Sequence, residues 1–273
     1  MPELPEVETI KNDLEKTLVG KKILGVETDS PKQIQPSLVI VQKAVAGTTI
    51  KKIQRRAKLL QIFLSNNKIL VAHLKLTGRL LVRKAEEPKD EWQHAVFRLG
   101  ESLELRFCDL RKFGWIRLME DEKKLEGLLS EFGPEPFTPE FTLEKFRDIL
   151  SKWGRPIKLL LMDQKKIAGV GNIYANEALF LAGIAPHKRA NSLSLKEQSK
   201  LYETLEQVLK EGIEYRGASD QAYLDAFGQK GQYQEHFRVY GRVGKPCPNQ
   251  CGGNIKRMTL GGRGTFFCPK CQK

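Results

Sequence analysis

The chain has 273 residues and a formal net charge of +13, from 46 Lys and Arg against 33 Asp and Glu. This length suffices for two modest domains, and an apolar fraction of 40% with 8% aromatic residues excludes a disordered chain. The positive charge is concentrated, because residues 241–273 contain seven Lys and Arg and no Asp or Glu. A focused excess favours binding to a polyanion or an acidic membrane surface over a general role in solubility.

The sequence has no stretch typical of a signal peptide or a membrane span. Residues 1–6 are acidic and contain two prolines, so they lack the basic and apolar regions of a secretory signal. The most apolar stretch, residues 167–186, is interrupted by two asparagines and a glutamate. We therefore expect a soluble, cytoplasmic protein without a membrane partner.

The first part of the chain predicts one helix followed by a β-rich region. Apolar residues recur every three or four positions in residues 3–18, which predicts an amphipathic helix ending at Gly20. Short strand-like runs follow, separated by glycine, Asn-Asn or charged turns, at 22–27, 59–64, 69–74, 79–82, 95–99, 103–108 and 115–118. This spacing predicts an antiparallel sandwich or barrel.

The later part of the chain predicts a helical domain. GPEP at 133–136, with Pro139 after it, indicates a linker. A first helix is then expected at 143–150, with Thr142 as its N-cap, and a second begins at 156–158. A third is expected at 172–182 after a glycine turn, and a fourth runs from 195 to near Gly217.

The last of these helices has the clearest start signal. Ser194 and Glu197 form a capping box, and the residues expected on its buried side are Leu195, Leu201, Leu205, Val208, Leu209 and Ile213. The sequence thus predicts an α+β protein, with a β domain at 1–132, a linker at 133–139, a helical domain at 140–238 and a cysteine-rich tail at 239–273.

Four of the five cysteines lie in the last 27 residues, as Cys247-x₃-Cys251, sixteen residues, and Cys268-x₂-Cys271. Paired thiols at this spacing predict one structural zinc ion held by a β-hairpin, with strands at 254–260 and 265–267 and a turn at 261–264. A zinc ribbon alone leaves its partner open. Cys108 lies apart in a strand-like run and is expected to be a core residue.

Pro2 becomes the first residue if the initiator Met is removed. Its secondary amine would have a pKa near 8, so a useful fraction is neutral at pH 7 and can attack an electrophilic carbon. Glu3 and Glu6 lie beside it, either as carboxylates favoured at a helix N-terminus or as a general acid and base. Position alone also allows Pro2 to be an ordinary terminal residue.

Two basic segments and one glycine turn are candidate binding elements. Residues 51–58 contain five cations and no acid, which suits tracking of phosphates or a solvated strand edge. Residues 109–114 place Arg111 and Phe113 on an expected loop, where they could stack on bases or wedge between them, although Phe113 could also be a core residue. The turn at 169–171 lacks the third glycine of a dinucleotide site and suits a single anion.

Eight motifs occur together and in order over nearly the whole chain: PELPEVET at 2–9, RRAK at 55–58, HLKLTG at 73–78, DLRKFG at 109–114, GPEP at 133–136, AGVGNIYANEAL at 168–179, VYGRVGKPC at 239–247 and GGRGTFFCPKCQ at 261–272. With them the sequence resembles the bacterial formamidopyrimidine-DNA glycosylase family, which removes oxidised purines such as 8-oxoguanine. PELPE, where the endonuclease VIII branch has PEGPE, favours the purine branch.

The resemblance implies an N-terminal antiparallel β-sandwich, a helix-two-turn-helix domain and a zinc finger, with DNA in the cleft between the domains. It implies a monomer that acts on double-stranded DNA at the bacterial nucleoid. Pro2 corresponds to a nucleophile that forms a Schiff base at the sugar C1′, Glu3 to the acid/base, and Glu6 to its support. Lys58 corresponds to the β-elimination lysine and Arg263 to the arginine of phosphate binding and δ-elimination.

Further site or DNA contacts follow from the same resemblance: His73, Leu76, His94, Arg111, Phe113, Lys152, Lys158, Asn172 and Tyr174. This chain departs from the family pattern at several positions. The first cysteine pair has x₃ for x₂, Leu76 replaces Met, Trp92 and Trp153 stand at usual DNA-contact positions, and Ala218-Ser219-Asp220 replaces Gly-Thr-Thr in the loop that caps the lesion.

The sequence is also compatible with two other functions. An endonuclease VIII-like enzyme would prefer oxidised pyrimidines, and a non-catalytic zinc-ribbon protein would bind nucleic acid without reacting. Trapping of a covalent adduct with borohydride separates an enzyme that uses Pro2 from a binding protein, and competing purine and pyrimidine lesions separate the two enzymes.

Overall fold

The computed structural model describes residues 1–220 and 222–273. They form two compact units, Met1–Ser130 with Tyr215–Gln232, and Glu131–Glu214 with Tyr233–Lys273. The chain thus returns to the first unit after completing most of the second. Among the described residues, no helix has the length and apolar character to cross a membrane.

The first unit begins with the predicted helix. Helix α1 spans Leu4–Leu18, with Glu3 as its N-cap and Pro5 in its first turn, where a missing N–H costs nothing. Its apolar face carries Val7, Ile10 and Leu14 into the main hydrophobic core.

Two sheets pack on that core. The other elements of the unit are β1 (Ile23–Thr28), β2 (Ile34–Gln35), α2 (Leu38–Val45), β3 (Ile50–Arg56), β4 (Leu59–Leu64), β5 (Ile69–His73), β6 (Gly78–Lys84), β7 (Gln93–Leu99), β8 (Leu103–Asp109), β9 (Trp115–Met119) and α3 (Glu122–Leu129). One sheet has the order β1-β7-β8-β6 and the other β2-β9-β5-β4-β3. All pairs are antiparallel except β2 with β9, and the two sheets share one buried cluster. The predicted β-sandwich is confirmed.

The predicted runs omitted α2, α3, the short strand β2 and the seven-residue strand β3, which carries most of the basic segment. Helix α2 has only eight residues and a mostly exposed apolar side, with Val39 77% exposed, so its pattern is not that of a core-facing helix. It begins at Ser37, whose hydroxyl accepts the N–H of Ile40.

The returning segment, Tyr215–Gln232, covers an edge of the first sheet. Strand β6 is one of the two outer strands of that sheet. Its Val82 N–H donates to the carbonyl of Ala226 at 2.8 Å, and Arg83 donates to the carbonyl of Phe227. The segment therefore satisfies backbone groups that an open edge would leave to solvent.

The second unit contains the predicted helices. They are α4 (Leu143–Ser151), α5 (Ile157–Leu161), α6 (Asn172–Ala182) and α7 (Leu195–Glu214). The capping box at the start of α7 is confirmed, since Ser194 N donates to Glu197 at 2.9 Å and Glu197 N donates to the Ser194 hydroxyl. Leu195, expected on the buried side, is 67% exposed because it is the first residue of the helix.

Helices α6 and α7 pack closely through a glycine. A Cβ on Gly212 of α7 would lie 2.5 Å from the ring of Tyr174 on α6, so no larger residue fits there without a shift. Tyr174 itself is fully buried and stacks on Tyr233, with ring centroids 5.2 Å apart.

The C-terminal hairpin consists of β10 (Lys256–Leu260) and β11 (Arg263–Phe267). Its turn contains two residues, Gly261 and Gly262, both in the left-handed region at φ +54° and +72°. The expected four-residue turn was therefore too long, because a double glycine allows the tightest hairpin connection. Arg263 is paired with Leu260 as the first residue of β11, and it is exposed.

Candidate active site and zinc centre

The start of α1 brings three predicted site residues together. Pro2 is buried, and Glu3 and Glu6 are only 2% and 1% exposed. Glu6 Oε2 accepts the backbone N–H of Glu3 at 2.8 Å, and the Glu3 side chain accepts from the N–H at Glu6. This reciprocal pair satisfies the first N–H groups of the helix and places both carboxylates beside the N-terminal residues.

Glu6 also contacts the returning segment. Its second oxygen, Oε1, accepts the N–H of Ala218 at 2.8 Å. Gly217 lies against the same side chain with φ +83°, and a Cβ there would stand 2.9 Å from Glu6 Cγ. Both carboxylate oxygens of Glu6 thus accept backbone N–H groups.

An ion-paired arginine fixes the start of the same segment. Arg216 donates to Asp13 of α1 at 2.8 Å and to Asp225 at 2.6 Å. Burial raises the pKa of Asp13 above its usual range, and the Arg216 guanidinium opposes that shift. Because the hydroxyl of Tyr223 donates to the carbonyl of Arg216 at 3.1 Å, the segment is also bonded to itself at this point.

Lys58 lies in the turn between β3 and β4 and is 5% exposed. The preceding residue, Ala57, has φ +54°, and Arg55 holds the turn by donating to the Ala57 carbonyl and to Glu8 of α1. The positive charge of Lys58 contributes to lowering the pKa of the His73 imidazole. The turn therefore directs a buried lysine toward the end of β5.

His73 at the end of β5 is held neutral. Burial, with the positive charges of Lys75 and Lys58, lowers the pKa of its imidazole to about 3. Its Nδ1 accepts the N–H of Lys75 at 3.0 Å, so Nε2 carries the proton. The ring also packs edge-on against Trp115.

A buried carboxylate organises the loop after β8. Asp109 accepts the N–H of Gly114 at 2.7 Å, the N–H of Arg111 at 3.2 Å and the hydroxyl of Thr77. The loop presents Phe113, which is 54% exposed, with the Arg111 guanidinium 4.8 Å from its ring centre. Phe113 is thus no core residue, and the exposed tip has the chemistry of the expected wedge.

Two further predicted contacts in the first unit are less accessible. Leu76 lies half-buried between β5 and β6. The side chain of His94 is 10% exposed, and its Nδ1 is 2.8 Å from Asp29 Oδ1. Its Nε2 is buried without a hydrogen-bond partner in the described part of the chain.

In the second unit, Lys158 attaches the hairpin to α5. Its side chain is fully buried, and Nζ donates to the Gly264 carbonyl at 3.0 Å and to Thr265 Oγ1 at 2.8 Å. Asn176 of α6 accepts the N–H of Phe266 at 2.9 Å. Both contacts fall on the strand that begins with Arg263. No sequence signal separates this inward lysine from a surface lysine that binds phosphate.

The start of α6 carries another predicted contact. Asn172 is its first residue, and its Oδ1 is buried with no partner in residues 1–220 and 222–273. Tyr174 belongs to the core instead of the surface. Lys152 is exposed and pairs with Asp148 at 2.7 Å.

The sequence missed Glu177, which is completely buried on α6. Its carboxylate accepts three successive N–H groups, those of Arg238, Val239 and Tyr240, at 2.8 to 3.0 Å. Burial raises the pKa of this carboxyl, and the three donors oppose the shift. Glu177 therefore fixes the chain where it enters the cysteine-rich tail.

The four tail cysteines form one metal site. The Sγ atoms of Cys247, Cys251, Cys268 and Cys271 all lie within 4.8 Å of one another. Two Sγ pairs are 3.6 Å apart, Cys247 with Cys271 and Cys251 with Cys268, close to the edge of about 3.8 Å for a tetrahedron of thiolates around Zn²⁺. The donor set fits a single structural zinc ion, and the x₃ spacing does not prevent it.

Three sequence-family models match the chain. They are the formamidopyrimidine-DNA glycosylase N-terminal domain at residues 1–116, the H2TH domain of the same glycosylase at 132–223, and the zinc finger found in FPG and IleRS at 244–273. With the β-sandwich and the four-cysteine site, they define a DNA glycosylase of the helix-two-turn-helix, zinc-finger class.

The similarity to relatives and to solved structures extends over the full length of the chain. The formamidopyrimidine-DNA glycosylases of Herpetosiphon aurantiacus and Bacillus subtilis are 44% and 40% identical, with 99% or more of each chain covered. Lactococcus lactis Fpg bound to DNA with an abasic site is 35% identical, with a TM-score of 0.93 and 99% of both chains covered. The same enzyme solved with oxidised-pyrimidine DNA also has a TM-score of 0.93 and 35% identity, with both chains covered completely. The chain belongs to the formamidopyrimidine-DNA glycosylase family and is a DNA repair glycosylase.

Proposed function

We propose that the protein is a bifunctional glycosylase and abasic-site lyase, which excises oxidised purines such as 8-oxoguanine and formamidopyrimidines from double-stranded DNA. It acts as a monomer on the bacterial nucleoid. The observation that carries the proposal is the position of Pro2 next to two buried carboxylates at the start of α1. A proline amine beside a proton donor is what covalent base removal requires.

The reaction begins after removal of Met1. The Pro2 nitrogen forms a bond to the sugar C1′ as the bond from C1′ to the base breaks, and the base leaves with a proton. Glu3 supplies that proton and then takes up the proton that the Pro2 nitrogen loses. The carboxyl passes this proton to O4′ as the bond from C1′ to O4′ breaks, so the sugar ring opens and leaves an iminium at C1′. Glu6 positions Glu3, because its oxygens already accept two backbone N–H groups.

Strand cleavage follows from the iminium at C1′. The iminium acidifies the C2′ proton, and loss of that proton expels the 3′ phosphate in β-elimination. Lys58, a buried lysine next to a neutral histidine, promotes this step. Arg263, exposed at the tip of the hairpin, binds the phosphate that leaves in the subsequent δ-elimination. Zinc has a structural role and takes no part in these steps.

DNA binding depends on positive charges that contact phosphates and on side chains that enter the base stack. The cations of residues 51–58 and of the acid-free tail contact the phosphate backbone. The damaged base must leave the stack before chemistry, and Leu76, Arg111 and Phe113 fill the gap. His73, His94, Lys152 and Asn172 are the remaining proposed site or DNA contacts. Lys158 and Tyr174, which the resemblance implied as contacts, are fully buried, so we propose that they position the hairpin and the core of the second unit instead. The solved relatives that are bound to lesion DNA support this partner.

A preference for oxidised pyrimidines is the second candidate. The observation in its favour is the complex of the Lactococcus lactis enzyme with DNA that contains an oxidised pyrimidine. Competition between 8-oxoguanine and thymine-glycol duplexes decides between the two lesion classes, and we expect faster excision of 8-oxoguanine.

Borohydride trapping on a duplex with 8-oxoguanine opposite cytosine tests the nucleophile. We expect the unchanged protein to form a covalent adduct that maps to the N-terminal peptide after digestion, and Pro2→Gly to form less of it, since its primary amine is still a nucleophile. Pro5→Ala is the matched control, since it changes the other proline of the same helix start and should keep the adduct. An adduct carried by a lysine side chain instead of the N-terminal peptide would exclude Pro2, and DNA binding without any adduct would favour the non-catalytic zinc-ribbon protein.

A further inference from the structure

Arg79 of β6 bonds to the segment that contacts Glu6. Its Nε donates to the carbonyl of Ala222 at 2.7 Å. We propose that Arg79 is a positioning residue that fixes the backbone of the Glu6 loop, defined as residues 217–220 with Ala222 and Tyr223, and thereby promotes removal of an intact damaged base. The inference rests on the proposed function, because it assigns a role within that reaction.

The Glu6 loop is attached at several points, among them one near its start and one near its end. At its start, Ala218 N donates to Glu6, and at its end Arg79 holds the Ala222 carbonyl. Within the loop, the Ser219 hydroxyl donates to the Tyr223 carbonyl at 2.9 Å. Ser219 also accepts the N–H of Gly231, and Tyr223 is buried in the main core. Loss of the Arg79 bond would therefore loosen the backbone between these two residues, at the Ala222 carbonyl.

Trp92 restricts the arginine. The Arg79 guanidinium carbon lies 6.0 Å from the centre of the Trp92 ring, within range of a cation–π contact. The backbone of Trp92 is fixed in turn, because its carbonyl accepts the N–H of Asp109 at 2.9 Å. Asp109 organises the loop of Arg111, so Arg79 and Trp92 connect the Glu6 loop with the exposed wedge.

The position of the Glu6 loop explains why its order matters. One carboxylate, that of Glu6, accepts both Glu3 N and Ala218 N at 2.8 Å. A damaged base that is attached to the sugar C1′ attacked by Pro2 therefore lies next to this loop. An abasic site has no base to hold, so its cleavage needs Pro2 but does not need an ordered Glu6 loop.

The test compares two reactions on one duplex. Arg79→Met removes the donor and keeps the apolar stem, and we measure single-turnover rates of 8-oxoguanine excision and of nicking at a preformed abasic site. We expect excision to fall about tenfold and abasic nicking to change by less than roughly twofold. Arg79→Lys keeps the charge but lacks the Nε–H donor, so it should resemble Arg79→Met.

Lys84→Met is the matched control for loss of one positive charge. Lys84 lies on the same strand and its side chain is 70% exposed, so both rates should stay unchanged. Equal losses of both rates in Arg79→Met with rescue by Arg79→Lys would show a phosphate contact and overturn the inference. Unchanged rates in Arg79→Met would overturn it as well.

A second measurement separates this inference from the proposed function. Hydrogen exchange of peptides from residues 215–232 reports on the Glu6 loop without any reaction. We expect faster exchange in Arg79→Met than in the unchanged protein and in Lys84→Met. If the unchanged protein neither forms an adduct nor nicks abasic DNA, the proposed function fails. Unchanged exchange in Arg79→Met removes the positioning role whatever the activity.

Discussion

The Glu6 carboxylate accepts the backbone N–H of Ala218 at 2.8 Å, across 212 positions of the chain. Its other oxygen accepts the N–H of Glu3 at the same distance. One buried side chain therefore sets the distance between the N-terminal residues and the returning segment. This arrangement favours a positioning role for Glu6 over proton transfer.

Glu6→Gln tests that role. The amide has one oxygen, so its NH₂ group would face one of the two N–H donors and leave that donor unsatisfied. We expect a loss of about 1–3 kcal/mol in the free energy of unfolding, measured in urea, with slower base excision and an unchanged pH–rate profile. Glu15→Gln on the same helix is the control, since the side chain of Glu15 is 43% exposed and its loss should cost less. Full stability with one limb of the pH–rate profile lost would assign Glu6 to proton transfer.

Lys158→Met addresses the attachment of the hairpin. The substitution leaves the Gly264 carbonyl and the Thr265 hydroxyl without their buried donor, so we expect Arg263 to be less well placed. On abasic DNA, the β-elimination product should accumulate at the expense of the δ-elimination product, while the zinc content stays at one ion per chain. The two products are resolved on a denaturing gel.

The exposed Lys196→Met serves as control and should leave the product ratio unchanged. A different outcome would show that Lys158 binds phosphate. In that case base excision and both eliminations would weaken together, and the salt dependence of DNA binding would decrease by about one ion.

The sequence predicted the parts of the molecule that rest on local chemistry. Four cysteines at ribbon spacing allow few alternatives to a metal site. The capping box of Ser194 and Glu197 fixed the start of α7 because its bonds join residues three apart. Alternating apolar runs indicated most strands of the sandwich for a similar reason.

The remaining features depend on contacts between distant parts of the chain. Lys158 and Glu177 have the sequence appearance of surface charges, yet both are completely buried by partners about a hundred and about sixty residues away. The return of Tyr215–Gln232 to the first unit follows from bonds to α1 and β6. No periodicity within a segment reports such pairings, so side-chain patterns alone could not reveal them.

Removal of zinc should unfold the tail selectively. The hydrophobic cluster around the site is small and includes two of the ligands, Cys247 and Cys268. The metal therefore supplies most of the local stability. We expect a chelator, or Cys251→Ser, to make residues 241–273 sensitive to limited proteolysis and to release one zinc ion per chain.

Cys108→Ser is the matched control for that experiment. Burial raises the pKa of the Cys108 thiol to about 12, so this residue offers no thiolate near neutral pH. The substitution should leave the zinc content and the protease pattern of the tail unchanged. Zinc loss in Cys108→Ser, or full protection of the tail in Cys251→Ser, would contradict the assignment of the ligands.

His73 predicts a pH dependence of stability. Its pKa is about 3 in the folded protein, against an ordinary value near 6.5 for an unfolded histidine. Between these values the unfolded state binds more protons than the folded state, so the stability falls as the pH decreases through this window. Within this window, His73 alone changes the free energy of unfolding by about 1.4 kcal/mol per pH unit. Above about pH 7 we expect no contribution from His73 to the pH dependence of stability.

His73→Gln should remove that part of the slope, because the amide does not titrate. We would measure the free energy of unfolding in urea between about pH 4 and pH 7, since the single-proton slope is nearly full between about pH 4 and pH 5.5 and fades towards pH 7. His187→Gln changes an exposed histidine and should keep the slope of the unchanged protein. An identical slope in His73→Gln would mean that the imidazole takes up a proton in the folded state. The burial and the two lysines would then not hold His73 neutral, and its proposed role as an uncharged neighbour of Lys58 would have to be abandoned.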